Sequence, residues 1–444
     1  MKRLVRTPSR VFLFWWGVLL VAAALVSCRT AGPHYTRPRP KEIPDAITQA
    51  VREQPRENFP RLVAFIRERA DTDREAFRYA HDWVARNITY DYAVYEGAAE
   101  RVDEPYEVIA NGKAVCEGYA RTLELLCGEL GIECPYVVGY VRGGSTAGPR
   151  EASLRSPEDA GKARHAWNAV ELDGRWHLVD VTYNAGWYRN EDGLAFNYTH
   201  SYYLSTPQHF IYTHFPDDER WQLLDEPLSF EEFKTLPEIT PGFFQYGLEL
   251  VGSHVRATTV TESTYSIRVD VPDDVRLNGI LTKSAAAPET VYRNHELVTI
   301  APDGVHTFNV RFPGPGDYVF HLVAKHKAGD DHYRRAASYH FKVPNGAEAA
   351  GPYPTVYDTF RDYRIHELDP SARVLDRVAY QTFSFTTDVR RPYFLVVPNV
   401  GRYAFSLNRE TGRYEATVPL DGEEAYLAVK RGDRYHYLVE YLVE

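Results

Sequence analysis

The middle of the chain carries a cysteine, a histidine and an aspartate in settings that suit nucleophilic catalysis. Cys116 lies in the stretch GKAVCEGYA, at the predicted start of a helix. Unpaired backbone N–H groups and the helix dipole at such a start favour a thiolate, the nucleophilic form of cysteine, and the same N–H groups can bind an oxyanion. Cys116 is therefore the candidate nucleophile.

His165 and Asp180 are the candidates for the general base and for the carboxylate that orients it. His165 opens the predicted strand RHAWNAV, and Asp180 lies in the next one, WHLVDVT, beyond the turn Asp173-Gly174. Asp-Gly is a strong hairpin signal, and counting back through it places His165 opposite Thr182. Asp180 is then its diagonal neighbour on the same face of the sheet. The imidazole would take the thiol proton and later give it to the leaving group.

Helical and strand patterns surround these residues. Apolar residues recur at helical spacing from Phe59 to Val84, with a break at Asp71-Thr72-Asp73 where Asp71 or Thr72 is the expected N-cap. A further helix is predicted from Cys116 to a glycine stop at Gly128 or Gly131. Short strands are predicted over residues 136–141, 166–171 and 176–181. Residues 59–236 are expected to form one domain with helices first and a sheet after them.

The rest of the chain has the pattern of antiparallel β-structure. Beyond Pro237 the helical period fades, and residues 237–345 alternate as strands of a β-sandwich, with runs at 266–271, 306–312, 318–324 and 338–343. A second sandwich is predicted over residues 352–444, with runs at 393–397, 403–407, 414–418 and 435–442. The duplication is an inference from architecture, since no residue-level repeat joins the two blocks.

The N-terminal residues predict export and attachment of lipid. Basic residues precede an apolar run from Val11 to Val26, which is short for a spanning helix and is typical of a signal peptide over residues 1–27. The run ends in LVSC, which resembles a bacterial lipobox and makes Cys28 the predicted lipidation site; an uncleaved signal anchor is the alternative. Proline-rich residues 28–58 are expected to be a tether. The predicted location is the bacterial cell envelope, lipid-anchored to the membrane and facing outside the cytoplasm.

Composition narrows the class of protein. The chain has 444 residues, more than the 250–300 or so at which single cores stop growing, so several domains are expected. Its net charge of -10 and scattered basic residues argue against nucleic-acid binding.

Cys127 and Cys134 could form a disulfide, but Cys127 lies on the apolar face of the predicted helix and packing is favoured. Because CxxC and HExxH spacings do not occur, neither a metal nor another cofactor is predicted. Four further histidines are left unranked by the sequence: His177, His200, His209 and His214.

The local sequences resemble the transglutaminase-like superfamily. The resemblance is carried by Gly-x-x-x-Cys-x-Gly-Tyr-Ala before a helix, by His-Ala-Trp-Asn at residues 165–168 and by Trp-x-Leu-Val-Asp at residues 176–180. Segments 203–207, 214–216 and 221–224 are similar to the kyphoscoliosis-peptidase-like branch. The resemblance covers about residues 60–236. It implies an α+β chain with a papain-like transglutaminase core, followed by the two β-sandwich (Ig-like) domains, and a catalytic triad of Cys116, His165 and Asp180.

The same resemblance implies a reaction, in which Cys116 attacks an amide of a protein or peptide and forms a thioester. Hydrolysis by a cysteine peptidase is favoured, because nothing in the sequence demands an amine cosubstrate. A protein-crosslinking transglutaminase and a peptidoglycan cross-bridge amidase are the alternatives. Trp167, Asn168 and Tyr183 are predicted to bind substrate. The competing class is a catalytically inert lipoprotein whose sandwiches dock envelope proteins or polysaccharide.

Overall fold

A computed structural model describes residues 40–142, 164–190, 193–252, 257–260, 262–283, 290–346 and 348–444. Along these residues a first domain of helices around a small sheet precedes two β-sandwiches. The predicted signal peptide, Cys28 and the beginning of the predicted tether lie outside the described residues. Within the described part of the chain, no helix is long and apolar enough to cross a membrane.

The first domain combines helices with a four-stranded antiparallel sheet, whose strands lie in the order Arg175–Val179 (β5), Arg164–Leu172 (β4), Tyr136–Val141 (β3) and His214–Pro216 (β8). Its helices are α1 (Asp45–Glu53), α2 (Pro55–Arg69), α3 (Asp73–Asn87), α4 (Tyr92–Tyr95), α5 (Pro105–Asn111), α6 (Cys116–Glu129), α7 (Val181–Ala185), α8 (Pro207–Phe210) and α9 (Phe230–Thr235). Its strands are β1 (Thr89–Tyr90), β2 (Lys113–Ala114), β3 (Tyr136–Val141), β4 (Arg164–Leu172), β5 (Arg175–Val179), β6 (Trp187–Asn190), β7 (Gly193–Phe196) and β8 (His214–Pro216).

Residues 45–58 correct the predicted tether over residues 28–58, because they belong to the folded body. They form α1 and the start of α2, and Val51 is fully buried in the core of the first domain. Pro55 occupies the first turn of α2, where the missing proline N–H has no partner to lose. Prolines occur both at the beginning of helices, as here, and in linkers. Composition alone does not distinguish the two cases.

Helices α3 and α6 form where their sequences predict. Thr72 is the N-cap of α3, since its side-chain oxygen accepts a hydrogen bond from the Glu75 N–H. Helix α6 begins at Cys116 and stops before Gly131, which has a φ of 66°. The N–H of Ile132 donates to the Cys127 carbonyl across that glycine, as in a left-handed C-terminal cap. The predicted apolar face of α6 is fully buried at Ala120, Leu123, Leu126 and Cys127.

The β4–β5 hairpin has the predicted turn and register. Leu172 pairs with Arg175, and the turn residues Asp173 and Gly174 have φ values of 55° and 71°, as a type I′ turn requires. Strand β5 ends at Val179, however, two residues earlier than predicted. The chain then turns into α7, and Asp180 is the N-cap of that helix instead of a strand residue.

Gly139 in β3 marks a close approach of three strands, and its replacement should destabilise the domain. A Cβ at this position would lie 2.2 Å from the Phe215 carbonyl oxygen and 2.6 Å from the Trp167 ring. Gly139→Ala is expected to lower the free energy of unfolding by about 1–3 kcal/mol, measured by urea denaturation. In the control Gly128→Ala the new Cβ meets nothing within 4 Å, and α6 should gain up to about 1 kcal/mol. Equal effects of the two changes would contradict this packing.

The second domain is a β-sandwich whose core is built from residues 239–343. Its elements are β9 (Glu238–Ile239), α10 (Pro241–Gln245), β10 (Glu249–Leu250), β11 (Ala257–Thr259), β12 (Thr264–Asp270), β13 (Val275–Lys283), β14 (Val291–Tyr292), β15 (Glu296–Ile300), β16 (Val305–Arg311), β17 (Gly316–His326) and β18 (Arg334–Val343). The two sheets have the orders β10-β12-β16-β15 and β11-β18-β17-β13-β14, with β9 pairing with β18.

The third domain is a second sandwich over the last part of the chain. Its strands are β19 (Thr355–Val356), β20 (His366–Asp369), β21 (Val374–Leu375), β22 (Gln381–Thr386), β23 (Tyr393–Val397), β24 (Gly401–Ala404), β25 (Ser406–Leu407), β26 (Arg413–Val418), β27 (Glu424–Arg431) and β28 (Arg434–Val443). Its sheets have the orders β19-β28-β27-β23-β24 and β20-β22-β26-β25, with β21 pairing with β28. The predicted single strand over residues 403–407 is wrong, because β24 and β25 belong to different sheets and the chain crosses between them at Phe405.

Candidate active site

Cys116 is held at the start of α6 by the short parallel pair β1–β2. Tyr90 pairs with Ala114, and the Asp91 N–H donates to the Ala114 carbonyl over 2.9 Å. The N-cap of α6 is Val115, whose side chain accepts no hydrogen bond in the described structure. The first backbone N–H groups of the helix are therefore not occupied by a side-chain cap. Cys116 is half-buried beside these groups. They are the donors that an oxyanion formed at Cys116 would meet.

The residues that follow Cys116 fit α6 tightly against its neighbours. A Cβ on Gly118 would lie 2.5 Å from the Ala114 Cβ and 3.1 Å from a Val108 methyl group, so only glycine fits without a shift. The carboxylate of Glu117 is paired with two arginines, Arg101 and Arg121. The acidic neighbour of the candidate nucleophile is thus engaged in ion pairs.

His165 links Cys116 to Asp180. Its Nε2 lies 2.7 Å from Asp180 Oδ2, which leaves Nδ1 for its hydrogen bond with the Cys116 sulfur. Burial disfavours the imidazolium, but the charges of Asp180 and Cys116 outweigh it and raise the pKa of His165 to about 10. The ring therefore carries a proton on each nitrogen near neutral pH, as an acid that can protonate a leaving amine.

Asp180 is fully buried and its carboxylate is held by three donors. Oδ2 accepts from Nε2 of His165 and, over 3.0 Å, from Nε2 of His214, while Oδ1 accepts from the Tyr183 N–H over 2.9 Å. The last bond makes Asp180 the N-cap of α7. Burial opposes ionisation, yet the two histidines hold the pKa of Asp180 well below its usual range. The carboxylate is charged and fixed in orientation.

His214 is the site residue that the sequence does not rank. It lies on β8, is fully buried, and has its Nδ1 2.8 Å from the Thr213 hydroxyl. Burial lowers the pKa of His214 to about 4, although the hydrogen bond to Asp180 acts in the opposite direction. The ring is therefore neutral near pH 7. The only signal in the sequence is the 214–216 segment that carries part of the family resemblance.

Comparisons with known proteins identify two of the domains described above. Residues 60–181 match the Transglutaminase-like superfamily, and residues 230–354 match the KY-like, immunoglobulin-like domain. The chain carries a transglutaminase-like core. The first β-sandwich after this core is a KY-like Ig-like domain.

The similar curated proteins are eukaryotic and longer. Kyphoscoliosis peptidase of Homo sapiens is 34% identical over 188 residues, which is 42% of this chain and 27% of the relative. Hillarin of Drosophila melanogaster is 29% identical over 256 residues, 54% of this chain and 30% of the relative. Lim and transglutaminase domain protein ltd-1 of Caenorhabditis elegans is 25% identical over 225 residues, 48% and 30% respectively. The chain thus spans less than a third of the length of these relatives.

The structure corrects the prediction of substrate-binding residues, because the three predicted side chains are buried in the transglutaminase-like core. The exposed fractions of Trp167, Asn168 and Tyr183 are 1%, 0% and 3%. Asn168 Nδ2 donates to the Ala120 carbonyl over 2.9 Å and so ties β4 to α6. The Tyr183 ring lies 4.8 Å from the His165 ring, centroid to centroid. These side chains support the triad from the interior and do not line an open cleft.

The other three histidines that the sequence leaves unranked also lie outside the triad. His177 is 3.4 Å from an Arg74 nitrogen at the surface, and His209 stacks on Phe244 with ring centroids 3.8 Å apart. His200 belongs to a second buried polar group, called here the Asp82 cluster, whose members are His81, Asp82, Tyr198 and His200. Asp82 accepts hydrogen bonds from Tyr198 and from His81 Nδ1, the latter at 2.9 Å.

The Asp82 cluster reaches the triad through α7. Nε2 of His81 accepts from Asn184 Nδ2 over 3.0 Å, and Asn184 Oδ1 accepts from the Tyr202 N–H over 2.9 Å. The Tyr202 carbonyl in turn accepts from the Asp180 N–H over 3.0 Å. Helix α7, which carries Asp180 at its start, is thus anchored to α3 by buried hydrogen bonds.

Two groups of the described residues bring three metal-binding atoms within 4.8 Å of one another, and both are explained by hydrogen bonds. The groups are His165, Asp180 and His214, and His81, Asp82 and His200. In the first group the contacts of 2.7 and 3.0 Å are hydrogen-bond lengths, and because a carboxylate oxygen only accepts, both Nε2 atoms act as donors. A metal ion there would displace the proton through which Asp180 orients His165.

The two buried histidines of the site predict how stability varies with pH. The pKa of His165 is about 10 in the folded protein and about 6.5 in the unfolded chain. Its contribution to the free energy of unfolding is therefore fully present below about pH 6.5 and is lost as the pH rises towards 10. The pKa of His214 in the folded protein, about 4, lies below the unfolded value of about 6.5. Its contribution to the free energy of unfolding is therefore lost as the pH falls from about 6.5. Urea denaturation from pH 4 to 10 should show maximal stability near pH 6.5. In His165→Gln the alkaline decline should become shallower, and an unchanged decline would contradict the assignment.

Proposed function

We propose that this chain is a cysteine peptidase that cleaves protein or peptide amide bonds through Cys116, His165 and Asp180. The observation that carries the proposal is the continuous hydrogen-bonded series from the Cys116 sulfur through the His165 ring to the buried Asp180 carboxylate. Nucleophile, acid–base and orienting group stand in the order that acyl transfer to cysteine requires. The name of the human relative, Kyphoscoliosis peptidase, agrees with the proposal.

The proposed reaction uses these residues in turn. The Cys116 thiolate attacks the carbonyl carbon, and the oxyanion is stabilised by the first N–H groups of α6. The His165 imidazolium gives its Nδ1 proton to the departing amine, which leaves a thioester and a neutral ring. That ring takes a proton from water as the water attacks the thioester. The acid product then departs, and the thiolate and the imidazolium are restored.

Partners and location remain part of this proposal, with support from sequence alone. A lipid on Cys28 would hold the enzyme at a bacterial membrane, facing outside the cytoplasm, among the proteins and peptides it would cleave. The two β-sandwiches would dock envelope proteins or polysaccharide. Because the chain spans less than a third of its relatives, their partners are not transferred to it.

The test compares hydrolysis with transfer to an amine. The full chain and its Cys116→Ser variant are incubated with an unfolded protein, with and without a fluorescent primary amine. We expect new N-termini, detected by mass spectrometry, only with the unchanged chain. Incorporation of the amine without new N-termini would replace the proposal by a crosslinking transglutaminase. Absence of both products, with many unfolded proteins tried, would favour the inert scaffold.

A further inference from the structure

We propose that the KY-like domain positions the catalytic aspartate through Phe244 and Gln245 of its short helix α10. These two side chains hold residues 199–214 of the transglutaminase-like core, called here the support segment, and the support segment holds Asp180. The inference deepens the proposed function, on which its kinetic part rests. Phe244 and Gln245 act only through Asp180 and are therefore positioning residues.

The support segment contacts Asp180 near both of its ends. Near its start the Tyr202 carbonyl accepts a hydrogen bond from the Asp180 N–H over 3.0 Å. At its end His214 donates to the Asp180 carboxylate, also over 3.0 Å. Between these points the Ser205 N–H donates to the Leu178 carbonyl over 2.9 Å and ties the segment to β5. A displacement of the support segment would therefore loosen both the backbone and the carboxylate of Asp180.

Helix α10 is anchored in the KY-like domain. It comprises Pro241–Gln245, and Phe243 at its centre is fully buried in the core of the sandwich. Its N-cap is Thr240, whose N–H donates to the Ala336 carbonyl of β18 over 2.9 Å and whose hydroxyl donates to the Arg335 carbonyl over 3.0 Å. The position of α10 therefore follows that of the sandwich.

The Phe244 ring packs on the support segment. It is stacked on the His209 ring with centroids 3.8 Å apart and an angle of 13° between the planes, and its centroid lies 5.9 Å from that of Tyr212. Tyr212 is two residues before His214, the histidine that donates to Asp180. Phe244 therefore holds the segment close to its contact with the catalytic carboxylate.

Gln245 holds the support segment near its other contact with Asp180. Its Nε2 donates to the Ser201 hydroxyl over 2.5 Å. Ser201 directly precedes Tyr202, whose carbonyl accepts from the Asp180 N–H. Helix α10 thus contacts the support segment beside both of the points at which that segment holds Asp180.

Arg142, which follows β3, joins the support segment to the connection between the two domains. Its side chain is fully buried, and its Nε donates to the Tyr212 carbonyl over 3.0 Å. Its Nη1 and Nη2 donate to the carbonyls of Leu236 and Pro237 over 2.7 and 3.0 Å, directly before β9. The KY-like domain therefore begins at a point that is fixed against the support segment, which keeps α10 in contact with it.

The first experiment measures how firmly Asp180 is held. Amide hydrogen exchange in the full chain is followed by NMR, with Phe244→Ala as the variant and Phe244→Tyr, which keeps the ring, as the rescue. In Phe244→Ala the Asp180 N–H should exchange at least about tenfold faster relative to the Ala169 N–H, which donates to the Pro135 carbonyl over 3.1 Å elsewhere in the core. A general loss of stability would speed both amides alike, so this exchange ratio reports on the support segment.

The second experiment measures the rate of iodoacetamide alkylation of Cys116 at pH 6. A carboxylate that is held less firmly stabilises the His165 imidazolium less, and less of Cys116 is then thiolate. The rate should fall about fivefold in Phe244→Ala, the equivalent of about one hydrogen bond, and should return in Phe244→Tyr. Val298→Ala is the matched control, because Val298 is buried in the same sandwich but lies on β15, in the sheet that does not contain β18. It should keep the rate and the exchange ratio within about twofold of the unchanged chain.

The outcomes separate this inference from the proposed function. An unchanged exchange ratio in Phe244→Ala would overturn the inference, and so would an equal change in Val298→Ala, because it would reflect a loosened sandwich alone. Gln245→Ala leaves the stacked rings in place and should give both effects at a smaller size, so the test also stands if Phe244→Ala does not fold. If cleavage of proteins is absent while the exchange and alkylation results hold, the proposed function fails and the positioning of Asp180 stands. If cleavage is present and the exchange ratio is unchanged, the proposed function stands and the inference fails.

Discussion

Cys116→Ala is expected to reduce amide-bond cleavage at least about 10⁴-fold, because the nucleophile is lost while the fold is kept. Cys116 is half-buried at the first position of α6, and alanine is the residue most favourable to helices. The rate is measured as the appearance of new N-termini in an unfolded protein. The melting temperature of the variant should stay close to that of the unchanged chain.

The two other described thiols provide an internal control for this variant. Cys127 and Cys134 are buried in the core, and burial raises the pKa of the Cys134 thiol well above its usual value. Both are expected to resist iodoacetamide in the native protein, so that Cys116→Ala should remove alkylation from the native described domains. Residual cleavage at more than a few per cent would show that another group is the nucleophile.

Asp180→Asn is expected to lower the cleavage rate about 10³–10⁴-fold without unfolding the protein. The amide has the shape of the carboxylate, but its NH₂ group would donate where His165 and His214 both donate now. His165 would turn to the neutral form protonated on Nδ1. Because the Asp180 charge is the largest contribution that raises the pKa of His165, the alkaline limit of the pH–rate profile should move down from about pH 10.

Asp217→Asn is the matched control for this prediction. Asp217 follows β8 and pairs with Arg164, the residue before His165, through two contacts of 2.6 Å, yet it is about half exposed and lies outside the triad. Exposed ion pairs contribute little, so cleavage should stay within about twofold of the unchanged chain. If Asp180→Asn behaves like Asp217→Asn, the Asp180 carboxylate has no part in the reaction.

The parts of the fold that follow from local rules could be predicted from the sequence. The Asp173-Gly174 turn predicted the register of the β4–β5 hairpin. The apolar stripe after Cys116 predicted the bounds of α6 to within about a residue. Both depend on neighbours a few positions apart. The resemblance to a family then supplied the proposed joint role of three residues that local patterns alone would assign to the core or the surface.

The parts that depend on contacts distant in sequence could not be predicted. His214 is 34 residues from Asp180 and reaches it only because β8 pairs with β3 beside β4. The burial of Asn168 follows from α6 lying across one face of the sheet, whereas Trp167 is buried on the opposite face against Phe210 and His214. The residue pattern of β4 reveals neither contact. Helix α1 was hidden for a different reason: prolines at its borders have the composition of a linker.

The most direct test of a Cys116 nucleophile activated by His165 is the rate of iodoacetamide alkylation of Cys116 at pH 6 and pH 8. In the unchanged chain the two rates should differ less than about threefold, because His165, whose pKa is about 10, stays positively charged beside the sulfur throughout this range. His165→Ala should slow alkylation at pH 6 by more than about tenfold. A rate that rises about tenfold per pH unit in the unchanged chain, as for an ordinary cysteine of pKa about 8.5, would contradict the account.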